Sequence, residues 1–273
     1  MTATAPLTFH VPPDAGPDQV LALVSALDEG DGPLPAAALR ARAGELLGKQ
    51  SRGEALALLR DLDLIRQDGN VSFTKRGQAL AAAPEVVDLI HGLANFAWQP
   101  LHPARLSRLW TYRTVVDLLW EHAPVTVAPA WKKLLVEDLL SRAEGVFGGE
   151  PGFSSARASL GPKSIDGVLR WLERLAPAVV SDGVVVRRRR CPPPLMVLAL
   201  ACVARAAGAE PGTDFRLGPE ERDALARGCF LEPFALEEML TWTVQTAPGR
   251  VRWGATNARY GRQIVLIESA SPV

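Results

Sequence analysis

Apolar positions recur at helical spacing through the first part of the chain. Val20, Leu21, Leu23, Val24 and Leu27 follow Asp18 and predict a capped amphipathic helix. Ala36 to Leu47 predicts a second helix, with Gly48 as its stop. Ala55, Leu58, Leu59 and Leu62 predict a third over Arg52 to Leu62, with Ser51 placed to cap it. The pattern then changes. Leu64-Ile65-Arg66-Gln67 runs into Asp68-Gly69-Asn70 and out through Val71-Ser72-Phe73, which predicts a hairpin turning on Asp-Gly. Another helix starts over Gln78 to Ala83.

The same order returns later in the chain. Thr111 to His122, Pro129 to Ala143 and Ser164 to Leu175 predict three helices, and Val179 to Val186 predicts a hairpin turning on Asp182-Gly183. Leu56, Leu59 and Leu62 fall on Leu169, Leu172 and Leu175 at one constant offset, which predicts an internal repeat. Around these two units, Met1 to Pro17 reads as an extended arm in which Leu7, Phe9 and Val11 alternate. Residues 84–109 read as a helical linker, and the Gly- and Ser-rich stretch Gly145 to Gly161 as a mobile loop. Leu195 to Ala207 is apolar on nearly all sides, which suits a central post between modules or an oligomer interface. Two further helices precede strands over Val251 to Glu268. They predict either a third unit of the same kind or a β cap on the second.

Helix, hairpin and the Phe73-Thr74-x-x-Gly77-x-x-Leu80 run resemble the winged helix-turn-helix superfamily, in the style of MarR- and ArsR-like regulators. The expected fold class is mainly α with small β-hairpins (α+β). The expected division is an arm over 1–17, winged-helix units over 18–83 and 110–190, and a helical and hairpin region over 191–273. The resemblance implies a third helix in the major groove and a wing on the DNA backbone or minor groove. The nucleic-acid-binding positions it implies are Arg52, Arg66, Lys75 and Arg76 in the first unit. In the second they are Lys163, Arg170 and the run Arg187, Arg188, Arg189 and Arg190. Arg250, Arg252, Arg259 and Arg262 add a basic C-terminal hairpin, interleaved with Trp253, Asn257 and Tyr260.

Charge sharpens two competing expectations. Lys plus Arg and Asp plus Glu both number 30, so the chain is neutral, unlike a dedicated non-specific nucleic-acid binder. Glu54, Asp61, Asp166 and Glu173 place carboxylates on the two third helices, where phosphate would be repelled. The alternative is therefore a protein-interaction scaffold built from the same modules, with a protein partner or a second copy meeting Leu195 to Ala207. In favour of nucleic-acid contact stands the local segregation of arginines between Arg250 and Arg262, a stretch without an acidic residue.

No enzyme is expected. The chain lacks G-x-S-x-G, H-E-x-x-H, G-x-G-x-x-G and paired Cys/His ligand spacings. Gly161-Pro162-Lys163-Ser164 lacks the glycine directly before lysine that a phosphate loop requires. His91 and His102 are too scattered for a metal site, so no cofactor or metal is expected. Three cysteines without C-x-x-C spacing suit free buried thiols in a reducing compartment. The first residues do not read as a signal peptide, and the most apolar run is too short to span a membrane. These point to a cytoplasmic protein without membrane contact.

Overall fold

A computed structural model describes residues 7–11, 15–30, 32–51, 53–96, 103–257 and 261–267, leaving aside the side chains of 103–107, 257, 261 and 262. The chain is mainly helical with small antiparallel sheets, as its sequence predicts. The first unit runs Pro17–Asp28 (α1), Leu34–Pro35 (β1), Ala36–Leu47 (α2), Gly53–Asp61 (α3), Ile65–Asp68 (β2) and Asn70–Phe73 (β3). β3 lies between β1 and β2. Lys75–Ala81 (α4) and Val86–Phe96 (α5) follow.

The second unit runs Pro103–His122 (α6), Val125–Thr126 (β4), Pro129–Phe147 (α7), Phe153–Arg157 (α8), Pro162–Leu172 (α9), Val180–Ser181 (β5) and Val184–Val185 (β6). Its last strand is again central, in the order β4-β6-β5. The third runs Pro193–Ala206 (α10), Asp214–Phe215 (β7), Pro219–Gly228 (α11), Leu236–Thr246 (α12), Val251–Asn257 (β8) and Gly261–Leu266 (β9), with the order β7-β9-β8. Among the described residues, one topology therefore occurs three times.

Local chemistry explains the shared hairpin. Asp68 pairs with Asn70 across Gly69, whose φ is +78°. Asp182 and Gly183 both take positive φ, which is the turn that matches strand twist. The Thr74 hydroxyl accepts from the Gly77 amide and donates to the Asp63 carbonyl, capping α4 and fastening it to the end of α3. Gly77 lies so close to the Leu64 carbonyl that a Cβ would sit 1.9 Å from the oxygen. The Phe73-Thr74-x-x-Gly77 run is thus a backbone junction between hairpin and helix.

The repeat is also a repeat of burial. Leu56, Leu59 and Leu62 are 8%, 1% and 2% exposed, and Leu169, Leu172 and Leu175 are 8%, 0% and 4% exposed. Residues that share one stripe of a helix meet the same environment in both units.

Three stretches differ from the sequence expectation. Residues 7–11 are extended but do not form a free arm. Phe9 is fully buried against the rings of Trp110, Phe147 and Phe153, with centroids 5.3–5.9 Å away. The linker contains α5, one of the most buried helices of the chain, which packs on α6 and α10; α6 itself begins inside the linker, at Pro103. The Gly-rich stretch read as a mobile loop holds the end of α7 and all of α8, fixed by buried Phe147, Phe153, Ala156 and Leu160. In each case burial of large apolar residues outweighs the chain entropy lost on ordering the segment.

α10 is a post. Leu195, Met196, Leu198, Ala199 and Leu200 are buried, and α5, α11 and α12 of the same chain cover them. The apolar surface of Leu195 to Ala207, expected as a possible partner interface, is consumed within the chain.

Candidate nucleic-acid interface

The four consecutive arginines divide into two kinds. Arg188 is 4% exposed, and its Nη1 lies 2.8 Å from Asp88 Oδ1 in a buried ion pair. Its Nε donates to the Cys229 carbonyl and Nη1 also to the Ala176 carbonyl. Asp88 Oδ2 accepts from the Ala176 amide. Arg188 is thus withdrawn from any binding surface, because its charge compensates a carboxylate on α5. Arg187 is half-buried. Its guanidinium lies 4.6 Å from the Trp120 ring centroid, as does that of Arg227, and donates to the Trp120 and Glu121 carbonyls. Only Arg189 and Arg190 of the run are exposed, Arg189 lying 5.7 Å from the Phe234 ring. A continuous basic face from Arg187 to the last hairpin does not exist, since half the run fastens the second unit to the third.

The polar junction extends beyond that pair. His91 is fully buried; its Nε2–H donates to the Gly228 carbonyl at 3.0 Å, and its Nδ1 accepts from the Tyr112 hydroxyl at 2.8 Å. Burial, helped by nearby Arg188, pushes the imidazole down to about 3, and burial raises the Tyr112 hydroxyl. Both groups are neutral and serve as hydrogen-bond links between α5, α6 and the end of α11. A cavity of about 30 Å³ lies beside them, lined by Val11, Leu58, Ile90, Leu109, Tyr112 and Trp171.

The third helices are unequal. On α9 the stripe Ser164, Gly167 and Trp171 is buried beneath the N-terminal segment. His10 Nδ1 is 3.2 Å from Ser164 Oγ, the Trp171 indole donates to the Ala15 carbonyl, and a Cβ on Gly167 would lie 2.4 Å from the Val11 carbonyl oxygen. Lys163 and Arg170 remain exposed at the edge of this covered helix. On α3 the exposed first turn carries Glu54. α12 presents Glu237, Glu238 and Trp242 to solvent.

The hairpins also differ. In the first, Arg66 is exposed and donates to Ser72 Oγ across the strands, Lys75 is exposed, and Arg76 is half-buried with a bond to the Leu62 carbonyl. Asp68 adds an exposed carboxylate at its tip. The third hairpin has the longest strands, seven and six residues. Val251, Ile264 and Val265 anchor its base in the core, while Arg250 and Arg252 stand exposed. The Asp214 carboxylate accepts from the Ala255 amide at 3.2 Å, an approach that Gly254 permits because a Cβ there would meet it at 1.9 Å. Arg52 and Arg259, like His102 and Tyr260, lie outside the described residues, as do the side chains of Asn257 and Arg262.

Sequence reasoning missed the inward role of Arg188, although a signal existed. Asp88 is the one acid in the buried helix VVDLIHGLANF, and a buried carboxylate demands a cation or donors. It also missed the solvent-facing Phe234 and Trp242 of the third unit, 71% and 38% exposed.

No group of three or more His, Cys, Asp or Glu side chains that could hold a metal occurs among the described residues, and none of their helices is long and apolar enough to cross a membrane. No protein-family model matches the chain, nor does any curated protein or solved structure.

Proposed function

We propose that the chain is a tandem winged-helix protein that contacts nucleic acid, with the hairpin of its third unit as the contacting element. The observation that carries this reading is the segregation of charge at β8 and β9. Residues 250–262 include four arginines and no acid in a chain whose net charge is zero. Arg250 and Arg252 project from a long hairpin whose base is fixed in the core. An exposed basic hairpin whose base is fixed in the core focuses positive potential where phosphates can approach. Asp214 is the nearby acid, and its carboxylate is turned to the Ala255 amide.

Photo-cross-linking to a bromodeoxyuridine-containing duplex tests this reading. The cross-linked peptide should fall between Ala247 and Ile267. Cross-links confined to the first hairpin, around Arg66 and Lys75, would move the interface to the first unit, and absence of complex at low salt would remove the reading.

A second reading rests on a different surface. Phe234, Glu238 and Trp242 are spaced four residues apart and exposed at the start and along the face of α12. Aromatic side chains flanking a carboxylate suit a protein partner better than a phosphate backbone. On this reading the units form a scaffold and the third helix is its docking face.

A further inference from the structure

We infer that nucleic acid is bound without sequence preference, through the phosphate backbone, because none of the three units offers a third helix suited to reading base edges. The inference rests on the proposed contact at β8–β9 and adds the class of ligand. Base reading by this topology requires the first turns of a third helix to enter the major groove, flanked by phosphates. A helix N-terminus is ordinarily favourable to phosphate, since its free amides and dipole attract anions. Here that attraction is offset by side chains. Glu237 and Glu238 occupy the first turn of α12, and Glu54 that of α3, all exposed. Arg222 pairs with Glu237, but Glu238 stays at the solvent face beside it. α9 has no acid in its first turn, yet Ser164, Gly167 and Trp171 along its flank are covered by His10, Val11 and Ala15.

At the third hairpin the proposed contact is arginine on a two-stranded element. Arginine on phosphate positions a protein without carrying sequence information. Each phosphate neutralised lowers the slope of log affinity against log salt by about 0.9, so four arginines set a limit near −3.6. A protein that inserted a helix and a wing together would exceed this.

The test uses the full chain and three short duplexes of equal length, alternating A·T, alternating G·C and mixed, in competition anisotropy at several salt concentrations. The inference expects affinities that agree within about threefold, since a read base pair would separate them by about tenfold or more. It expects a slope no steeper than about −4. Glu238→Gln should leave affinity unchanged or raise it. A preference of about tenfold for one duplex, or a tenfold loss in Glu238→Gln, would overturn sequence-independent binding while leaving nucleic-acid contact intact; a slope near −8 would overturn the confinement of phosphate contact to the third hairpin. Binding to none of the three would instead overturn the contact on which the inference rests.

Discussion

The Asp88 carboxylate and the Arg188 guanidinium meet at 2.8 Å with 3% and 2% of their side chains exposed. They lie 100 residues apart in the chain. Asp88 belongs to the helix that follows the first unit, and Arg188 to the segment that leaves the second after β6. The Arg188 amide donates to the Phe230 carbonyl and its own carbonyl accepts from the Glu232 amide, so the same residue also ties in the third. Removing one member of a buried pair strands the other charge, at a cost of about 3–5 kcal/mol. Arg188→Met and Asp88→Asn should each show this loss in urea denaturation. Joint replacement by Asp88→Leu and Arg188→Met should recover a large part of it. Equal loss in the double variant would show that the backbone links, and not the charges, hold the junction.

His91 gives the fold a definite pH dependence. Its ordinary value is near 6.5, and in the folded protein burial lowers it to about 3. Between these values the unfolded chain binds a proton that the folded chain does not. Its neutral state therefore contributes stability that is present above pH 6.5 and is lost as pH falls toward 3. The slope contributed is at most about 1.4 kcal/mol per pH unit. Asp88, Arg188 and Tyr112 surround the site, and burial raises the Asp88 carboxyl above its ordinary value, so the His91 share is read as the difference between wild type and His91→Gln. Stability measured by denaturation between pH 4 and 6.5 should flatten in His91→Gln by up to that slope. An unchanged profile would place the imidazole in contact with solvent.

The N-terminal segment is part of the second unit's core. Phe9→Ala should cost about 3–5 kcal/mol in a melt or denaturant titration, as for other fully buried aromatics. Gly167→Ala should also destabilise, because its methyl would meet the Val11 backbone at 2.4 Å. If Phe9→Ala melts like wild type, the segment is peripheral and the flank of α9 is open.

The Thr74-x-x-Gly77 junction is testable in the same way. Gly77→Ala places a methyl against a backbone oxygen that cannot turn aside, whereas Gly69 sits at a turn with open space around it. Gly69→Ala should cost about 1 kcal/mol through its positive φ, and Gly77→Ala clearly more. The reverse order would mean that the junction is looser than its geometry.

The repeated hairpins and the leucine stripes were legible because each is a local pattern. Asp-Gly between short β-prone runs sets the turn at Asp68-Gly69 and Asp182-Gly183, and Leu59 and Leu172 repeat one helical phase. The inward turn of Arg188 was not legible from its own neighbourhood. Four arginines in a row carry no periodic signal, and their fates depend on Asp88 and Trp120, far away in sequence. The same holds for Phe9, whose partners lie on α6, α7 and α8. Arg250 and Arg252 were legible as a basic patch. Their pre-eminence was not, because it follows from what covers α9 and from where Arg187 and Arg188 point.

The central claim is that the third hairpin is the phosphate-contacting element, and salt-dependent binding tests it most directly. Duplex affinity is measured by anisotropy across a salt series for wild type and for Arg250→Glu with Arg252→Glu, after both melt alike. The account predicts a negative slope of log affinity against log salt in wild type, shallower by about 2 in the double variant, with affinity reduced on every sequence alike. A double variant that binds as wild type does, with the same slope, would contradict it.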